Sequence, residues 1–134
     1  MQLAPVTRAR LIEVAREAQR NAYAPYSHFP VGAAVLAEDG RVFSGCNVEN
    51  SSYGLTICAE RNAIGAAIVA GAKPIAVAVV ANGERITPCG ACRQVLAEFA
   101  KDMPVVLAAA SGDEHEEASL AALLPGAFRL KAEG

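Results

Sequence analysis

The sequence predicts an α/β fold, a three-layer α/β/α sandwich built on a mixed β-sheet. Three observations carry this. Segments with helical spacing alternate with short apolar runs rich in β-branched residues, and the first two extended runs meet at Asp39-Gly40, a strong hairpin signal. With 134 residues, 53% hydrophobic and 19% charged, the chain has the length and composition of one globular domain, 1–134, with a substantial core.

In chain order, Leu11, Ile12, Ala15, Ala18 and Ala22 recur at helical spacing from Thr7 onward and predict an amphipathic helix. Pro25 and Pro30 then forbid regular structure. "VGAAVLA" and the run ending in "SGCNVEN" form the predicted hairpin, and residues 58–70 an alanine-rich buried helix with Gly71 past its end. "PIAVAVVA" (74–81) reads as a central strand, 89–100 as a helix, and "VVLAAA" as another strand. "SGDEHEE" is expected to be an acidic loop, and Leu120, Leu123 and Leu124 to lie on a last short helix. No internal repeat, linker or low-complexity tract interrupts this order.

A net charge of −2 and a pI near 5.7 argue against a nucleic-acid binder, because phosphate neutralisation needs concentrated Lys and Arg. The first nineteen residues mix charges into their apolar pattern, unlike a signal peptide, and no run approaches the ~18 apolar residues of a membrane span. The expected location is cytoplasmic. Thiols stay reduced there, so Cys46, Cys58, Cys89 and Cys92 read as metal or catalytic groups before disulfides.

Cys58 and the Cys89-x-x-Cys92 pair both fall in the first turn of a predicted helix, where the dipole and unpaired N–H groups stabilise thiolates. A single C-x-x-C could be a redox pair or two small core residues. Joined by Cys58 it supplies three ligands, which leaves tetrahedral Zn²⁺ one open position, the arrangement of a catalytic site. Cys46, on the second hairpin strand, reads as an ordinary buried thiol. Glu60 gives the open position a purpose, since a carboxylate beside the metal can take a proton from water and deliver it to substrate. Three thiolates on Zn²⁺ carry excess negative charge, and a guanidinium from Arg61 or Arg93 would offset it, with Arg61 preferred for its place beside Glu60.

C-A-E at 58–60 and P-C-G-A-C at 88–92 resemble the signature of zinc-dependent nucleobase deaminases. "YSHFPVGAAV", "GCNVENSSYG", "ICAERNAI", "PCGACRQV" and "LLPGAF" narrow the resemblance to the small homotetrameric cytidine deaminases, from the first helix to Phe128. The resemblance implies Cys58, Cys89 and Cys92 as zinc ligands and Glu60 as proton shuttle. Zinc-activated water would attack C4 of cytosine while Glu60 protonates N3, then carries a proton to the departing amino group. It also implies that backbone near Ala59 holds the base, that Asn47 and Glu49 bond the ribose 3′-hydroxyl, and that Phe29 packs on the nucleoside.

Phe128 corresponds to an aromatic that enters a neighbouring subunit's site, and Tyr53 is expected near a subunit boundary. The implied activity is pyrimidine salvage, turning cytidine and 2′-deoxycytidine into uridine and 2′-deoxyuridine with release of ammonia, in a homotetramer that shares its sites. His28 and His115 match no ligand position. Asn82–Thr87 carries no specificity signal. No extra silent domain, as in the larger dimeric class, is expected. Three rivals are weighed: a blasticidin-S-type deaminase, which shares the zinc motifs; a polynucleotide-editing deaminase, disfavoured by charge and by C-x-E in place of H-x-E; and a non-catalytic zinc module closed by Cys46.

Overall fold

The computed structural model describes residues 2–83 and 85–130; Glu84, within the featureless 82–87 segment, lies outside them. Five strands form one sheet in the order β2-β1-β3-β4-β5. These are β1 (Val31–Ala37), β2 (Val42–Cys46), β3 (Pro74–Ala81), β4 (Pro104–Ala109) and β5 (His115–Ser119). β3 and β4 are parallel and the other pairs antiparallel, so the sheet is mixed as expected.

Alternation along the central strands divides the core. Ala33, Val35, Val77, Val79, Val105 and Leu107 face helices α2 (Ala59–Val69), α3 (Gly90–Ala97) and α4 (Leu120–Leu123). Ala34, Leu36, Ala78, Val80, Val106 and Ala108 face α1 (Pro5–Gln19). Helices thus cover both faces, which makes the three layers, and each fully buried Val or Leu contributes about 1.5–3 kcal/mol.

Two glycines let helix backbones touch the sheet. A Cβ on Gly32 would overlap the Ala15 carbonyl of α1. A Cβ on Gly45 would lie 2.5 Å from the Ala59 carbonyl and the Ala63 nitrogen, so β2 presses directly on the first turns of α2.

Helix α1 starts at Pro5, suited to a first helical position, and stops at Gln19, short of the expected Ala22. Tertiary pairing accounts for the early end: Tyr23 leaves the helix to bridge Val48, with Tyr23 N–H on the Asn47 carbonyl and Glu49 N–H on the Tyr23 carbonyl. The end of α2 follows expectation. Gly71 (φ 75°) donates to the Ile68 carbonyl and Ala72 to that of Ala67, a Schellman stop. Helix α3 ends at Ala97 instead of residue 100, tightening into i→i−3 bonds from Glu98 and Phe99.

One expectation is overturned. The second half of "SGDEHEE" is not loop but the edge strand β5, with Glu117 opposite Val106 and His115 opposite Ala108. His115 is therefore an exposed strand residue, not a loop residue. Charge on an edge strand blocks pairing with other chains, and it also hides the strand from a hydrophobic reading.

Candidate zinc centre and active site

Two helix starts build the site. Cys58 is the N-cap of α2 and Cys89 the N-cap of α3, both in extended backbone (ψ 154° and 167°), and neither side chain is spent on capping its helix. Cys92 lies in the first turn of α3 and is fully buried. Their three Sγ atoms lie within 4.8 Å of one another, with Cys58 and Cys89 3.9 Å apart. Zinc–sulfur bonds of about 2.3 Å in a tetrahedron place sulfurs about 3.8 Å apart, so this donor set fits Zn²⁺. Cys46 is not in this cluster, which leaves three thiols where a closed structural site needs four ligands.

The three thiols sit in unequal electrostatic surroundings. The Cys92 hydrogen bond, helped by the Arg61 guanidinium, draws Cys58 down to about 5. Cys92, donating to Cys58 from a buried position, is pushed up. The Arg61 Nη2 donates to Cys58 Sγ at 3.4 Å, and its Nε is buried with no hydrogen-bond partner. Arg93 points elsewhere, donating to the carbonyls of Pro88 and Leu123 (both 2.7 Å) and to Thr87 Oγ1 (3.0 Å). Of the two arginines, Arg61 is the one on a cluster thiol.

Glu60, on the first turn of α2, is only 4% exposed. Burial pushes its carboxyl above the usual range, and the neighbouring Cys58 charge pushes the same way. A buried carboxyl with raised proton affinity beside a cluster of metal-ligating thiols is suited to carry a proton. Ala59, which begins α2, is fully buried between Cys58 and Glu60.

The segment that carries Asn47 and Glu49 is stitched to the start of α2. Val48 and Ile57 exchange backbone hydrogen bonds of 3.0 Å, which sets Asn47 and Glu49 beside the residue preceding Cys58. Asn62 Nδ2 reinforces the join with a 2.8 Å bond to the Cys46 carbonyl. Asn47 is buried, Glu49 half-buried and Phe29 exposed at the rim of the α1–β1 connection.

Phe128 stands 67% exposed, its carbonyl held by Gln94 of α3 at 2.8 Å. Tyr53 is 75% exposed and edge-on to Tyr26. Neither His28 nor His115 joins the thiol cluster. Sequence reasoning overlooked Ser27, Asn62 and Gln94; only their place inside the resembling blocks could have drawn attention to them, since each acts through a partner 16 to 34 residues away.

The mixed sheet and the three-thiol, one-carboxyl cluster define the class first: an α/β protein with an open, catalytic type of zinc site. The family model for the cytidine and deoxycytidylate deaminase zinc-binding region matches residues 6–109. A cytidine deaminase of Sporosarcina psychrophila is 54% identical over 122 residues, 89% of each chain. The crystal structure of cytidine deaminase from Burkholderia pseudomallei superposes with a TM-score of 0.84 at 51% identity, covering 90% of this chain and 98% of that one. The corresponding enzyme of Mycobacterium tuberculosis gives 0.79 at 43% identity, covering 91% and 97%. The chain belongs to the cytidine and deoxycytidylate deaminase family.

Proposed function

We propose that this protein, as a single catalytic domain, hydrolyses cytidine and 2′-deoxycytidine to uridine and 2′-deoxyuridine, releasing ammonia, in pyrimidine salvage. The observation that carries the reading is the set of three thiols within 4.8 Å beside the buried Glu60, at the starts of two helices. Cys58, Cys89 and Cys92 would hold Zn²⁺, which when bound would supply a Lewis acid that makes water acidic enough to attack at neutral pH.

The rest of the chemistry belongs to the chain. Glu60 takes a proton from the attacking water and gives it to N3 as C4 is attacked. It then moves the remaining proton of the hydroxyl added at C4 to the amino group, so that the C4–N bond breaks, ammonia departs and the C4 carbonyl forms. Arg61 offsets the thiolate charge through Cys58. Backbone at Ala59 holds the base, Phe29 packs on the nucleoside, and Asn47 and Glu49 receive the sugar's 3′-hydroxyl.

The same reading makes the protein a cytoplasmic homotetramer. Free thiols suit a reducing compartment, and no helix among the described residues is long and apolar enough to cross a membrane. Past Asn62, α2 has no polar side chain, yet Gly65, Ala66, Ile68 and Val69 are exposed on the single chain, Val69 at 91%. A helix apolar on all sides belongs in an interior, and packing against further copies supplies one. Phe128 on the exposed C-terminal segment then completes a neighbour's site by stacking.

The test is ammonia release from cytidine by zinc-analysed protein beside Glu60→Ala. Turnover at one zinc per chain, cut by roughly 10²–10⁴-fold in the variant while zinc is retained, is the expected result. A fully metallated wild type that leaves cytidine unchanged overturns it.

A further inference from the structure

The connection between α1 and β1 is tied down on both sides of Phe29. Glu49 Oε1 accepts the backbone N–H groups of Tyr26 (2.9 Å) and Ser27 (3.1 Å), and Glu49 Oε2 accepts the Ser27 hydroxyl. That same hydroxyl accepts the Phe29 N–H at 3.1 Å. On the other side, Asn47 Nδ2 donates to the Phe29 carbonyl at 3.0 Å and Asn47 Oδ1 accepts the Val31 N–H at 2.9 Å. His28, exposed between Ser27 and Phe29, is held at φ 57°, the left-handed region that costs a non-glycine residue energy.

Counting free positions shows what the pair can still bind. A carboxylate has about four acceptor sites and a primary amide two donors and two acceptors. Glu49 has three of its sites filled, leaving one on Oε2, and Asn47 keeps one N–H and one acceptor position. Together the two side chains keep two acceptor positions and one donor, a set that can receive a sugar hydroxyl donating to the carboxylate and accepting from the amide.

We propose that Ser27 is a specificity-determining positioning residue, whose hydroxyl ties Glu49 to the Phe29 backbone and so holds the carboxylate where it receives the sugar 3′-hydroxyl. This rests on the reading of Asn47 and Glu49 as the sugar-binding pair. Glu49 is held below the usual carboxylate range first by the Ser27 hydrogen bond, consistent with a carboxylate kept ionised as an acceptor.

The test measures kcat and KM on cytidine and 3′-deoxycytidine for zinc-loaded wild type, Ser27→Ala, Ser27→Thr and Glu49→Gln. In Ser27→Ala the KM for cytidine rises about tenfold, the loss expected for one hydrogen bond to a charged group, while kcat changes little. The KM for 3′-deoxycytidine hardly moves, so the preference between the two narrows, and Ser27→Thr restores it. Equal losses on both substrates, or no loss on either, overturn the proposal by reducing Ser27 to loop stability or to nothing. If Glu49→Gln keeps the wild-type preference, the sugar-binding reading fails and takes the proposal with it. If Glu49→Gln abolishes the preference and Ser27→Ala does not, the Ser27 inference alone fails.

Discussion

Glu60 is a carboxyl that the fold destabilises in its charged form, and its dependence on pH follows from that. Its folded pKa is raised above the unfolded value, so its contribution to stability is fully present below the unfolded pKa and is lost as pH rises through the folded pKa. In protein stripped of zinc, Glu60→Gln should therefore unfold at a higher temperature than wild type near pH 8, with the gap closing toward pH 4; calorimetry across that range checks it. Arg61 acts through its neighbour. With its guanidinium nitrogen 3.4 Å from Cys58 Sγ, removing it in Arg61→Ala should weaken zinc affinity about 10–100-fold, measured by competition with a chromogenic chelator. The sequence spoke clearly at this scale about the cysteines and Glu60, because their spacing is local to two helix starts. It preferred Arg61 to Arg93 only for its place beside Glu60; what turns Arg93 away is not local, since its partners include Leu123, 30 residues away.

Elements carry the site through backbone contacts as much as through side chains. Because a Cβ at Gly45 would lie 2.5 Å from backbone atoms of α2, Gly45→Ala must push apart the strand leading to Asn47 and the helix that begins at Cys58. The expected cost is about 1–3 kcal/mol in urea denaturation, with a fall in bound zinc, as overpacked cores show. A wild-type unfolding midpoint with full zinc content would contradict that close approach. Alternating strands and alanine-rich helices were legible because their apolar periods are local. β5 was not, because its residues "HEEAS" gain strand structure from pairing with β4 and carry charge that suits an edge.

At the scale of the whole molecule, the apolar outer face of α2 sets the expectation. Val69→Asp places a charge on that face and should lower the mass found by light scattering, with activity falling alongside if sites are shared. Chelation of zinc should abolish turnover and lower the unfolding temperature, both restored by adding zinc, because an ion that binds only the folded chain stabilises it.

By itself the sequence determined the α/β class, the hairpin at Asp39-Gly40, the three thiols and Glu60, and, through its resembling blocks, the family. All of these are written in local periods and short spacings. Only tertiary structure decided that Arg61 and not Arg93 meets the thiols, that an acidic stretch closes the sheet, and that Ser27 links Glu49 to Phe29. The physical reason is shared: a side chain's partner is set by where distant segments pack, and one chain position does not encode the distance to another until the sheet has brought them together.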